Sequence, residues 1–328
     1  MAEKDWGRRD SRGEWQPDVL PVPSPLFSLP WKPLEILKYL FAWEGFYLPY
    51  NALYGLLAVI SWLWFTPSLA QTARFEAWWI AEIFARNAVL LILINGSLQL
   101  RLYTTRGQGT TFKYTNKWLA TNDSKFLFRN QVWDNVFWNL TSGCLIWTGY
   151  EAITLWAFSN HIIPYVDWRV HPVYCVILML LIPFLRVFHF FWAHWLTHWK
   201  PLYNISHYLH HKNINIGPWS GLTMHPIEHL LYFSGVLLHW VIPSNPLHAI
   251  FHLMHAGLSP APGHTGFHKF VTTGERGLGN NNYFHYLHHR FFTVNYGVES
   301  VPLDKWFGFF HDGSPQAHAA MLARRKKA

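Results

Sequence analysis

Apolar and polar positions alternate along this chain on the scale of whole helices. Four long apolar stretches stand out: Leu48 to Phe65, Ala77 to Leu100, roughly Val132 to Phe158, and Val173 to Trp195. Each offers the ~20 apolar residues needed to cross a bilayer as a helix. The third is interrupted by Asn135, Asn139 and Glu151, which are expected to face the interior of a helical bundle. Glu82 and Arg86 stand four apart in the second stretch and predict an ion pair along one helix face. Ahead of these stretches, residues 1–30 are charged and rich in proline (Pro21, Pro23, Pro25, Pro30), which predicts a flexible leader and no cleavable signal peptide. The segment WKPLEILKYL that follows, residues 31–40, sets leucines and charges on opposite sides of a helix, as a surface-lying amphipathic helix would. Further on, Leu230 to Ile242 and Leu247 to Leu258 are each too short to span. With Pro243 and Pro246 between them they predict a helical hairpin dipping into one leaflet. Residues 261–282, rich in Gly and Asn, predict loop.

The expected architecture is therefore all-α and integral to a membrane, with about four transmembrane helices, a half-inserted hairpin and a cytosolic cap. Four regions follow: a leader and interfacial helix (1–47), the spans (48–183), a histidine-rich region (184–313) and a basic tail (314–328). Composition agrees, with 51% hydrophobic, 18% aromatic and only 13% charged residues. The net charge of +8 is not spread along an aromatic-lined groove, so nucleic acid is not the expected partner. It gathers instead in the loop holding Arg101, Arg106, Lys113, Lys117, Lys125 and Arg129, and in the run Arg324, Arg325, Lys326, Lys327. A basic loop of this kind is expected on the cytoplasmic side, and four spans return both termini there. That face belongs to a bacterial inner membrane or, in a eukaryote, to the endoplasmic reticulum. Cys144 and Cys175 both lie in apolar stretches and predict neither a disulfide nor a thiolate metal site.

Histidine changes the picture. Of 21 histidines, 17 lie between His189 and His289. His194 and His198 are four apart, and His207, His210 and His211 stand at i, i+3 and i+4. His285, His288 and His289 repeat that second spacing. On helices each set lies on one side, so three faces could converge. Their eight imidazoles are too many for one metal and reasonable for two. By ligand type the metal could be iron, zinc, copper or nickel. His248, His252 and His255 share a helical face, and His255 is the strongest candidate for a ninth ligand, with His252 behind it. His225, Glu228 and His229 form an HxxEH segment that would suit a zinc hydrolase, but that leaves the eight stronger histidines unexplained. His161, His171, His311 and His318 are read as ordinary polar contacts, and His189 and His239 as structural. A carrier passing metal across the membrane would spread its histidines along the spans rather than gather them at one face.

The pattern HxxxH, HxxHH and a distant HxxHH resembles the fatty acid hydroxylase superfamily, also called the sterol desaturase family. Here it reads His194-Trp-Leu-Thr-His198, His207-Tyr-Leu-His210-His211 and His285-Tyr-Leu-His288-His289. His225-Pro-Ile-Glu228, His255-Ala-Gly257, Asn295-Tyr-Gly297 and Leu303-Asp-Lys-Trp-Phe-Gly308 resemble further elements of that family. Trp195 stands where many members have Arg. The resemblance covers roughly Phe184 to Gly313. It implies a membrane-bound non-haem di-iron oxygenase that uses dioxygen and two electrons to hydroxylate or desaturate a lipid: a sterol, fatty acyl chain, sphingoid base or aminolipid. Two irons would be held by His194, His198, His207, His210, His211, His255, His285, His288 and His289, with His252, His225 and His229 as lesser candidates. Zinc could replace iron in purified protein. Glu228, Asn281, Asn282 and Asp304 are candidates to orient the rings. Electrons would come from a separate donor, a ferredoxin or a b-type cytochrome with its reductase.

Overall fold

The apolar stretches become the frame. The computed structural model describes residues 7–21, 24–273, 276–280 and 282–326; Pro23, Glu275, Asn281 and Lys327 lie outside the described residues. Helix α1 (Pro33–Phe41) leads into α2 (Tyr50–Trp64), α3 (Ala77–Gln99), α4 (Gln131–Trp138), α5 (Cys144–Ser159) and α6 (Pro172–Thr197). Shorter helices follow: α7 (Lys200–Leu202), α8 (Tyr208–His211), α9 (Pro226–Phe233), α10 (Pro246–Leu258) and α11 (Pro260–Gly263). Last come α12 (Tyr283–Phe291), α13 (Leu303–Trp306) and α14 (Pro315–Arg325). A π-turn at Leu100–Thr104 prolongs α3, and another at Asn139–Gly143 joins α4 to α5.

Two helices among the described residues are long and apolar enough to cross a membrane, Ala77–Thr104 and Pro172–Thr197. Along α6, Val173, Val176, Ile177, Leu180, Leu181 and Phe188 point outward, an apolar stripe suited to lipid. The other two expected spans differ. Helix α2 has 15 residues, short of the ~20 that a bilayer asks for. The α4–α5 rod turns Asn135, Asn139 and Glu151 inward, where all three are buried.

The centre of the bundle is α10, with every residue buried. It starts sharply, because Asn245 caps it by accepting from the Leu247 amide and Pro246 opens its first turn. It packs among α2, α5 and α6. Ile250, Phe251, Leu253 and Met254 are buried there, each contributing about 1.5–3 kcal/mol. The expected hairpin thus exists, with α9 and a 3-10 segment (Ser234–Trp240) as its first arm. Its second arm is the core of the bundle rather than a leaflet-facing element, because its apolar residues pack on α2, α5 and α6 while His248, His252 and His255 bond to Cys175, His239 and Asn51 on other elements. Gly257 lets α5 come close: a Cβ there would stand 2.4 Å from the Trp147 ring.

Three further expectations are corrected. The leader contains an antiparallel hairpin, β1 (Gly7–Arg9) with β2 (Trp15–Pro17), in place of a flexible run. Burial of Trp15 holds it, against Phe112 and His268 with ring centroids 6.0 and 5.4 Å away. The Arg9 guanidinium adds bonds to the carbonyls of Gly13, Thr110 and Lys113. Residues 261–282, expected as loop, include a second antiparallel pair, β3 (Lys269–Thr273) with β4 (Arg276–Gly279). Finally, Arg86 pairs across helices with Glu151, at 2.6 and 2.5 Å to its two oxygens, while Glu82 is exposed. The inter-helix pair wins because both partners are buried, where an unpaired charge is expensive.

The basic segment 101–130 and the histidine-rich segments occupy the same end of the bundle. The Tyr103 hydroxyl donates to the carbonyls of Ile216 and Thr265, and Tyr114 stacks on Tyr286 at 4.5 Å.

Candidate metal centre

Three helical pieces and one loop deliver the histidines. His194 and His198 stand at the end of α6, His207 closes a π-turn (Tyr203–His207), and His210 and His211 lie on α8. His285, His288 and His289 lie on α12, and His264 follows α11. They form two groups, His194, His198, His207, His211 and His288 in one, and His210, His264, His285 and His289 in the other. Within each group the candidate ligand atoms are within 4.8 Å of one another. Each HxxHH box is divided between the groups. At about 100° per residue, positions i and i+4 point nearly together while i+3 falls ~100° from i+4. His207 and His211 therefore serve one group and His210 the other; on α12, His285 and His289 are separated from His288 in the same way. The groups touch, with the His211 and His289 ring centroids 4.9 Å apart.

Proton accounting shows what these groups are suited to hold. His194 Nδ1–H donates to the Tyr296 carbonyl at 2.6 Å, and His288 Nδ1–H to that of Val294 at 2.7 Å. His264 Nδ1–H donates to the Pro260 carbonyl at 2.9 Å, and His207 Nδ1 meets Glu228 Oε1 at 2.6 Å. A neutral imidazole has a single N–H, so in these rings Nε2 is left as a bare lone pair. Those lone pairs converge. His198 Nε2 lies 3.0 Å from His207 Nε2 and 3.2 Å from both His211 Nε2 and His288 Nε2. In the second group His264 Nε2 lies 2.8 Å from His285 Nε2, which is 3.1 Å from His289 Nε2. Converging lone pairs repel; a metal cation at each focus turns the repulsion into coordination. Burial favours the ligand form, pushing His198, His207, His210, His211, His285, His288 and His289 well below the ordinary histidine range and His264 down to about 4.

Around the rings, carboxylates and amides fix orientation. Asp304 accepts from the amides of Tyr296 and Gly297 at 2.7 and 2.8 Å, holding the carbonyl that orients His194. Burial raises Asp304 to about 6 and Glu228 to about 8. A cation on the far side of His207 would favour the ionised form of Glu228. Asn282 accepts from the Tyr114 hydroxyl at 2.6 Å and donates to Thr265 Oγ1 at 3.1 Å, bracing the loop that carries His264. Asn281 lies outside the described residues.

Four expected histidines stand apart from both groups. His255 Nε2–H donates to Asn51 Oδ1 at 2.7 Å, an orientation fixed because Asn51 Nδ2 donates to the Phe46 carbonyl. His252 is bonded to His239 at 3.1 Å. His225 accepts from the Ile227 amide as the cap of α9. His229 lies between Ser142 Oγ and the Leu222 carbonyl. The HxxEH segment thus does not converge, since Glu228 turns to His207. The ninth place expected for His255 is taken by His264, whose signal in the sequence is a histidine gripped between Pro260, Pro262 and Gly266.

A cavity of about 190 Å³ opens against both groups, touching His194, His207, His210, His264 and His285. It extends to Arg186, two turns down α6, and to Tyr54 and Tyr232.

Residues 178–309 match the family model described as fatty acid hydroxylase. A Delta(7)-sterol-C5(6)-desaturase of Nicotiana tabacum is 28% identical over 152 residues, 45% of this chain and 53% of that protein. A Delta(7)-sterol 5(6)-desaturase of Gibberella zeae is 26% identical over 152 residues, 42% of this chain and 43% of its own length. The chain spans about half the length of the curated relatives it matches. No solved structure matches.

Proposed function

We propose that this chain, whose residues 178–309 belong to the fatty acid hydroxylase family, is a membrane-bound di-iron oxidoreductase that hydroxylates or desaturates a lipid with dioxygen. The observation that carries this reading is the pair of foci at which histidine ring nitrogens converge, with the Nδ1–H of His194, His288 and His264 already spent on backbone carbonyls. His194, His198, His207, His211 and His288 would hold one iron, and His210, His264, His285 and His289 the other. When bound, such a pair supplies the two-electron activation of dioxygen needed to break an unactivated C–H bond. The chain's own residues do the rest. Tyr296, Val294 and Pro260 carbonyls and Glu228 keep His194, His288, His264 and His207 in their tautomers. The cavity would bring a lipid tail against the histidines. An imidazole set with no thiolate suits iron, zinc, copper or nickel by ligand type; the redox chemistry of lipid oxidation is what makes iron the choice here, with zinc as the usual substitute after purification.

The sterol desaturases among the relatives support a lipid substrate, and a sterol or an acyl chain both suit an apolar tunnel. In this reading α3 and α6 cross the membrane with the α4–α5 rod and the shorter α2 embedded beside them, the basic segment 101–130 and the histidine cap face the cytoplasm, and a separate ferredoxin or b-type cytochrome delivers electrons. Expression in a host lacking the chain, followed by mass spectrometry of total lipids, tests the activity. A gain of one oxygen indicates hydroxylation and a loss of two hydrogens desaturation. Unchanged lipids from iron-loaded, reductant-supplied protein, or full activity in an iron-free His210→Ala variant, would sink the proposal.

A further inference from the structure

The cavity continues past the histidines to a polar end that the oxidation itself does not use. Arg186 on α6 and Tyr54 on α2 both line it there. Arg186 is only 7% exposed, and among the described residues no carboxylate pairs with it. One of its Nη groups bonds the Tyr232 hydroxyl, and its plane lies 4.7 Å from the Phe190 ring centroid. Neither carboxylate of the cavity pairs with it among the described residues: Glu228 is bonded to His207, and Glu299 lies on another wall beside Tyr39. Tyr54 is 2% exposed, and its hydroxyl has no hydrogen-bond partner among the described residues. A buried guanidinium and a buried hydroxyl, both with N–H or O–H to spare, therefore face one space. Unpaired charge of this kind is retained where it meets an anion, and the guanidinium fork matches a carboxylate or phosphate.

We infer that this end of the cavity is a recognition subsite for the oxyanion of an acidic lipid, with Arg186 forming the charge-assisted pair and Tyr54 the second hydrogen bond. The inference rests on the lipid-oxidising reading above and names its substrate class. Eight residues separate Arg186 from His194, about 12 Å along the helix axis. The carbon presented to the histidines therefore lies well along the chain from the acid group rather than next to it.

Binding of radiolabelled palmitate to the detergent-solubilised full chain tests the subsite, with hexadecyl phosphate and methyl palmitate as competitors. An acidic competitor should outcompete the ester by about tenfold or more, the worth of a charge-assisted hydrogen bond. Whichever of palmitate and hexadecyl phosphate binds tighter identifies carboxylate or phosphate as the natural anion. Arg186→Gln should abolish the preference, and Tyr54→Phe, which removes one oxygen and leaves the packing, should weaken it severalfold. Equal competition by acid and ester, or a preference surviving in Arg186→Gln, overturns the subsite. Binding needs neither iron nor dioxygen, so the two proposals separate. A chain that selects the acid yet oxidises no lipid refutes the function and keeps the subsite. A chain that oxidises lipid but treats acid and ester alike refutes the subsite only.

Discussion

Replacing His264 with alanine should empty one of the two metal foci and leave the other filled. His264 is one of four imidazoles in its group, beside His210, His285 and His289. A four-ligand structural zinc site is worth about 10–16 kcal/mol, so one ligand accounts for roughly 3 kcal/mol, or about a hundredfold in affinity. The variant should therefore purify with close to one metal per chain after dialysis against a weak chelator, while the parent keeps two. Its remaining metal should sit in the five-histidine group, which His264 does not enter. His255→Ala is the matched control. It removes a buried histidine of the same bundle, but one bonded to Asn51, and it should keep both metals. Elemental analysis by plasma mass spectrometry, normalised to amino-acid content, reads the result. Two tightly held metals in His264→Ala, or the loss of one in His255→Ala, would refute the assignment of the second group.

Three further outcomes are expected. Glu151→Ala strands the Arg86 guanidinium inside the bundle and should destabilise the protein by about 3–5 kcal/mol, seen as a lower thermal midpoint in detergent, whereas Glu82→Ala should change it little. Gly257→Ala drives a methyl into the Trp147 ring and should cost about 1–3 kcal/mol; a midpoint equal to the parent's would show that α5 and α10 can separate freely. Burial, reinforced by Arg9, lowers the Lys113 ammonium from 10.5 to about 7. The unfolded chain then holds a proton that the folded chain sheds, so stability should rise with pH between about 7 and 10.5, by a few kcal/mol at about 1.36 kcal/mol per pKa unit. Lys113→Met should flatten that rise in a series of melts at stepped pH.

Local spacing made much of this molecule legible. The HxxxH and HxxHH boxes declare themselves because i, i+3 and i+4 have fixed angular meanings on a helix, and the same angles explain why each HxxHH divides between the groups. What depended on distant partners stayed hidden. His264 sits on a loop whose position is set by Asn282 and Tyr103, both remote in sequence, so the prolines and glycine around it did not by themselves lift it above His255. Arg86 was matched with its helical neighbour Glu82 because Glu151 is 65 positions away. The leader read as flexible because its prolines are local, while the surface that buries Trp15 comes from Phe112, Tyr114 and His268. Helix α10 read as a membrane hairpin arm because a short, mostly apolar segment does not by itself say whether lipid or protein covers it, and the partners of His248, His252 and His255 are remote in sequence or across a turn.

The N-terminal hairpin also bears on how the protein is made. Glu14 contacts the Tyr286 hydroxyl across 272 positions, and Lys305 reaches the Phe27 carbonyl across 278. Glu14 and Phe27 are thus fastened to the last histidine box and its surroundings, which are translated long after them. A nascent chain that stops short of α12 lacks His288 from one focus and both His285 and His289 from the other, so neither is complete. Contacts this distant in sequence form slowly. Neither focus can therefore be assembled before α12 has been made, and the N-terminal hairpin can dock against Tyr286 only after that.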